Sequence, residues 1–277
     1  MHIEVLCVMR KITFLLFILT TTIQAQNGKF PMGARQASLG SAAVTITDQW
    51  SLFNNVGAMG LISGDYGFTS YQNRFGISEL STMGAGYIKD FGSSAGGLGF
   101  YRFGDEFYSE QRVNIGYGHT LDRVSLGIGV DYLQYNIATV GTRGVMVIEF
   151  GGVAELTDKI SFGAHIFNVN QANLVKETYE KIPTVMKAGV SFRPSDDLMF
   201  NVETEKDLDF DEVFKAGMEY RIIEKVLVRT GFRTAPFQGS FGIGFQPKKF
   251  QFDYAFSNDT NLGVTHELSV SYRIRNQ

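Results

Sequence analysis

Residues 267–275 read ELSVSYRIR. The stretch sets Leu268, Val270, Tyr272 and Ile274 on one side of an extended chain, with Glu267, Ser269, Ser271, Arg273 and Arg275 on the other. Successive side chains of a strand point to opposite faces, so this alternation predicts a strand with one greasy and one polar surface. The same dyad runs through Phe214, Ala216, Met218, Tyr220 and Ile222 against Lys215, Gly217, Glu219 and Arg221. It recurs in Met186, Ala188, Val190 and Phe192 against Lys187, Gly189, Ser191 and Arg193, and in Val124, Leu126, Ile128, Val130 and Tyr132 against Ser125, Gly127, Gly129 and Asp131.

Placing a strand wherever the dyad holds gives 62–71, 79–89, 95–103, 108–119, 122–135, 146–156, 159–169, 184–193, 197–206, 213–222, 225–234, 237–246, 249–257 and 264–275. These are about fourteen strands of the roughly ten-residue length that a tilted membrane strand requires. A soluble sandwich alternates in the same way, and periodicity does not separate the two. Strand length does favour the membrane, because soluble strands average about five or six residues. An even strand count and an export signal ahead of a chain that keeps no cysteine point the same way. The expected fold class is therefore all-β: a transmembrane antiparallel β-barrel of about 14 strands with a short N-terminal plug. Tyr66, Tyr71, Phe103, Tyr108, Phe245 and Phe250, near strand ends, are expected in interfacial aromatic girdles.

Composition agrees: 24 Phe, 12 Tyr and 31 Gly against 5 Pro favour many pleated segments over long helices. At the amino end, Arg10 and Lys11 precede the apolar run Ile12 to Leu19, and Ala25 stands before Gln26, the pattern of a cleaved secretory signal over 1–25. Met9 is a candidate start, since Met-Arg-Lys opens such a signal compactly. The one cysteine, Cys7, lies within the segment to be removed, so an exported chain without disulfides is expected. The domain reading is signal peptide 1–25, plug 26–60 and barrel 61–277. Without residues 1–25 the chain carries 23 basic and 27 acidic residues, a net of −4 that argues against a nucleic-acid partner. The expected surroundings are outer-membrane lipid of a Gram-negative cell.

Motifs for chemistry are missing. His2, His119, His165 and His266 are scattered without the His-Glu-x-x-His spacing of a zinc hydrolase. The acidic run Glu203, Glu205, Asp207, Asp209, Asp211, Glu212 fails the calcium-loop pattern at two positions and is expected to be a solvated turn. Gly92, Gly96, Gly97 and Gly99 lack the Lys-Ser/Thr of a phosphate loop and a following helical pattern, and are expected to form a turn and a kinked strand. No enzyme activity and no cofactor are expected. Arg193, Glu203, Glu219, Arg221, Arg229 and Arg233 are expected to form a ladder of opposite charges in the lumen, the same residues that would line a substrate path. Trp50, Met32 and Met59 are expected to be packing anchors.

Residues 33–60 read GARQASLGSAAVTITDQWSLFNNVGAMG. The segment resembles the opening of the PorV/PorQ group of FadL-like outer-membrane barrels, a Gly-Ala-Arg stretch leading to an Asp and then a Trp/Phe-Asn-Pro-Ala-Gly-like run. Gly33, Ala34, Arg35, Gly40, Asp48, Asn54, Asn55 and Gly57 fit that pattern; Ser41 stands for a second Gly and Val56 for a Pro. The closing hairpin from Asp253 to Ile274 is similar to the family's last strand, although it ends in Ile and hydrophilic residues where an aromatic is usual. The resemblance implies a plug, including Trp50 and Phe53, inside a barrel whose bore is too wide for side chains alone to fill. It also implies an accessory or cargo-binding role in type IX protein secretion, with secretion-system proteins or secreted cargo as partners. FadL-like relatives offer the alternative of a channel that passes small hydrophobic solutes.

Overall fold

The computed structural model describes residues 31–139, 141–174 and 182–275. The signal-peptide reading, 1–25, and the candidate start at Met9 lie outside the described residues.

Fourteen strands follow the alternating stretches: β1 (Asp65–Arg74), β2 (Ser81–Asp90), β3 (Ser94–Gly104), β4 (Tyr108–Leu121), β5 (Val124–Ile137), β6 (Gly141–Glu155), β7 (Ile160–Phe167), β8 (Val185–Ser195), β9 (Leu198–Asp207), β10 (Val213–Ile223), β11 (Val226–Thr234), β12 (Phe237–Phe245), β13 (Phe250–Asp259) and β14 (Gly263–Arg275). Each pairs antiparallel with its sequence neighbours, and β14 pairs with β1 from Asp65↔Arg275 to Arg74↔Thr265, closing the barrel. Closure leaves no edge strand and satisfies the backbone within the sheet, the condition for crossing lipid with strands.

The outer face is an apolar belt. Ile115 is 60% exposed, Phe241 55% and Leu268 51%, with Ile128, Phe150, Phe162, Val190, Phe200, Phe252 and Tyr254 in the same setting. A continuous exterior of this kind faces hydrocarbon, not water. The partner residues of the dyad point inward and are largely buried: Ser125, Asp131, Glu149, Ser191, Glu203, Lys215, Arg229, Asp253 and Glu267.

All fourteen expected strands are present, with shifted ends. β6 begins at Gly141, not 146, because its outward positions Thr142 and Gly144 carry no apolar side chain while pairing with β5 continues through Ile137↔Gly141. Three of the expected girdle residues, Tyr66 among them, turn inward: Phe103 lies under the Arg74 guanidinium, 5.0 Å from its centroid, and Tyr108 donates to Glu110. Tyr66 packs against the plug's apolar cluster. Tyr71, Phe245 and Phe250 remain exposed on the outside.

Strand ends define two rims. The turn rim has connections of two to four residues, as at Asp122–Arg123 and 246–249. The loop rim has the longest connection, 168–184. β6 runs past the last residue of β7, with which its pairing ends at Glu149↔Phe167.

Candidate functional site

Residues 32–62 lie inside the barrel as three short helical pieces, Ala34–Ser38, Ser51–Asn54 and the 3-10 turn Val56–Leu61. Met32, Trp50, Leu52, Phe53, Val56 and Met59 pack together against Phe68, Ile88 and Ala95 of the wall. Trp50 is wholly buried and meets Phe68 edge-on at 4.7 Å between centroids. Gly33 is required where it stands: its φ is 102°, and a Cβ there would enter the Trp50 ring. Gly57 is required for a second reason, since a Cβ would strike the backbone of Gly151 on β6.

Asn54 and Asn55 tie the segment to itself. Asn54 accepts from the Met32 N–H at 2.9 Å and donates to the Met32 carbonyl at 2.8 Å. Asn55 accepts from the Gly57 N–H at 3.1 Å and donates to the Val44 carbonyl at 2.6 Å and the Gly152 carbonyl at 3.2 Å.

Charged wall residues hold the segment in place. Arg35 Nε and Nη2 donate to the two carboxylate oxygens of Glu219 at 2.8 and 2.7 Å, and Nη1 to Asp48 at 3.2 Å. Asp48 also accepts from the Gln36 amide and the Trp50 N–H. Burial pushes the Asp48 carboxyl above its ordinary range, opposed by the neighbouring Arg35 guanidinium. Glu219 lies opposite Arg229 in register and accepts from it, and Arg229 reaches Asp253 at 2.7 Å. Glu203 takes the N–H groups of Ala43 and Val44 at 2.7 and 2.8 Å and is paired with Lys215 at 2.9 Å. Glu267 accepts from the Gly33 N–H and the Gln72 amide, both at 2.9 Å. Gly40 donates to Ser240 at 3.1 Å.

Of the six charges singled out in the sequence, the structure brings Glu203, Glu219 and Arg229 to the plug. Arg221 instead stands near Asp197 of the turn rim at 3.6 Å, Arg193 reaches Ser191 at 3.5 Å, and Arg233 reaches the carbonyls of Ala235 and Pro236 at 3.4 Å. The acidic run is not a single solvated turn. Glu203, Glu205 and Asp207 belong to β9, with the first two bound by Lys215, because the dyad aims them into the lumen; only Asp209, Asp211 and Glu212 occupy the turn. Sequence reasoning missed Lys215, Asp253, Glu267 and a second network on β4 to β7. There Arg112 donates to Asp131 and, at 3.3 Å, to Glu149, while Glu149 also contacts Asn114 at 3.1 Å and His165 at 3.1 Å. The available signal was only their place on the inward phase of the dyad.

Directly loop-ward of that network, on β5 to β8, lies an apolar cluster. Leu133, Val147, Phe167 and Val185 form it with Ile182 from the long connection, and Tyr135, Val145, Ala172 and Leu174 pack against it. A cavity of about 150 Å³ adjoins Ile182, lined also by Gln171, Asn173, Thr184, Leu208 and Asp209. Among the described residues no group of three or more His, Cys, Asp or Glu is placed to hold a metal ion.

No family model matches the chain, and no curated protein sequence does. Solved structures do. The toluene transporter TbuX of Ralstonia pickettii superposes with a TM-score of 0.72 at 12% identity, over 90% of this chain and 100% of that one. The fold is that of the FadL-like outer-membrane barrels. The CymD monoaromatic hydrocarbon channel gives a TM-score of 0.69 at 11% identity over 90% and 99% of the two chains. A FadL homologue from Pseudomonas aeruginosa gives 0.65 at 12% identity over 90% and 100%.

Proposed function

We propose that this chain is an outer-membrane channel for small hydrophobic solutes, closed by the plug at residues 32–62 in the form described. The observation that carries the reading is the apolar cluster on the loop-rim side of the plug. Inward positions of a membrane barrel are ordinarily polar, yet Leu133, Val147, Phe167 and Val185 stand there on four successive strands, with Ile182 over them. An apolar solute gains by leaving water for such a surface, at about 25 cal/mol per Å² buried. The barrel fold shared with the toluene and monoaromatic channels supports the same reading.

The type IX secretion role implied by the PorV/PorQ-like opening rests on the sequence pattern at residues 33–57. Loop-rim connections other than 168–184 span two to six residues, such as 235–236 and 75–80, and offer little surface to a protein cargo. Deletion in the native cell separates the two readings. Slower uptake of toluene or a long-chain fatty acid with an unchanged secreted proteome supports the channel. Unchanged uptake with a depleted secreted proteome would overturn it in favour of secretion.

A further inference from the structure

We infer that the loop-rim lumen prefers neutral monoaromatic solutes bearing a hydroxyl group, with the Glu110 carboxylate as the acceptor for that hydroxyl. The inference rests on the channel reading and names the class of solute within it.

Glu110 stands in register opposite Phe103 on β3 and Tyr135 on β5, so its carboxylate emerges between two aromatic rings on the inner wall. Tyr108, two residues away on the same strand, donates its hydroxyl to Glu110 Oε1 at 2.7 Å and meets the Phe103 ring edge-on at 6.4 Å. Tyr101, opposite Arg112, closes the side towards the plug. Among the described residues Glu110 makes no ion pair, and its Oε2 accepts no hydrogen bond. An acceptor held among ring faces calls for a donor attached to a flat, apolar body. Tyr135 also belongs to the apolar cluster, so the ring of a solute resting on Leu133 and Val147 brings a substituent within reach of this corner.

Charge decides what kind of donor fits. The Arg74 guanidinium lies 5.0 Å over Phe103, and Arg143 stands opposite Tyr135, so a second cation is disfavoured. A carboxylate brings no donor for Oε2. It also meets the negative charge of the Glu110 carboxylate at contact distance, which repels it. A neutral hydroxyl meets neither penalty.

Three probes of nearly equal shape test the idea: p-cresol, p-xylene and p-toluate, titrated calorimetrically into the full-length barrel in detergent. Each variant is first shown to be folded by its altered gel migration without boiling. The expected order is p-cresol about tenfold tighter than p-xylene, the scale of one hydrogen bond to a charged acceptor, with p-toluate weakest. In Glu110→Leu the cresol-to-xylene ratio falls to near one, and Glu110→Gln, which keeps an acceptor oxygen, retains part of it. Equal binding of cresol and xylene to the natural chain, or a ratio that survives in Glu110→Leu, overturns the inference while xylene binding leaves the channel reading standing. Failure of all three probes to bind the natural chain refutes both.

Discussion

Replacing Arg35 by alanine removes the charge through which the plug grips the β10 wall. The lost contacts are two hydrogen bonds to Glu219, at 2.8 and 2.7 Å, and one to Asp48 at 3.2 Å, all from a largely buried guanidinium. Breaking a buried ion pair by removing one partner costs about 3–5 kcal/mol, chiefly because the remaining charge is stranded. Here the lower figure applies: Glu219 keeps Arg229, and Asp48 keeps Gln36 and the Trp50 N–H. About 3 kcal/mol corresponds to roughly a hundredfold rise in the population of undocked plug. The only tryptophan of the chain, Trp50, sits at the centre of that plug with no exposure and reports the event directly. Acrylamide quenching of its fluorescence is expected to rise and its emission to shift to the red. Gel migration without boiling stays that of a folded barrel, since the strand ladder does not depend on Arg35. Unchanged quenching in Arg35→Ala would show that the Glu219 contact contributes little to docking, and unfolding of the whole barrel would show that plug and wall are one cooperative unit.

Gly57→Val drives a side chain into the Gly151 backbone and is expected to displace the 3-10 turn, again raising Trp50 quenching; a protein indistinguishable from the natural one would contradict the close approach. Removing residues 33–60 is expected to raise small-solute permeability in liposome swelling, and unchanged rates would count against a plugged pore. Phe167→Ala strips a ring from the apolar cluster and is expected to weaken p-xylene binding about tenfold, the scale of one lost ring face; full affinity would place the solute elsewhere.

The barrel was legible because each strand needs only a period of two, and lipid demands that one phase of it be apolar throughout. Leu268, Val270, Tyr272 and Ile274 therefore declare their face without reference to any partner. Lumen residues carry no such signature. Glu203 and Glu219 read like Asp209 and Asp211 in a string of letters, and only register separates an anchor facing Lys215 or Arg229 from a charge in a turn. Tyr66, Phe103 and Tyr108 were misassigned for a related reason: an aromatic residue near a strand end suits an interfacial girdle, and the phase of the dyad, not the residue type, decides which side it occupies. The apolar cluster was hidden because Leu133, Val147, Phe167 and Val185 are spread over four strands and Ile182 lies in a connection. The plug glycines stood out in sequence, whereas the wall glycines they press against, Gly151 among them, looked like ordinary small residues of a polar face.

The unequal reach of β6 and β7 gives the mouth an oblique cut. β6 continues from Ile148 to Gly141 beyond the end of its neighbour, eight residues or roughly 25 Å of strand. Beside it the chain leaves β7 at Phe167, and Val169 and Asn170 bond Ile148 and Met146 of β6 before Ile182 joins the apolar cluster. The β5–β6 hairpin thus stands as a one-sided wall at the loop rim. The inner face of that wall carries Tyr135 and Val145, so the apolar cluster is backed on one side by a surface taller than the cluster itself.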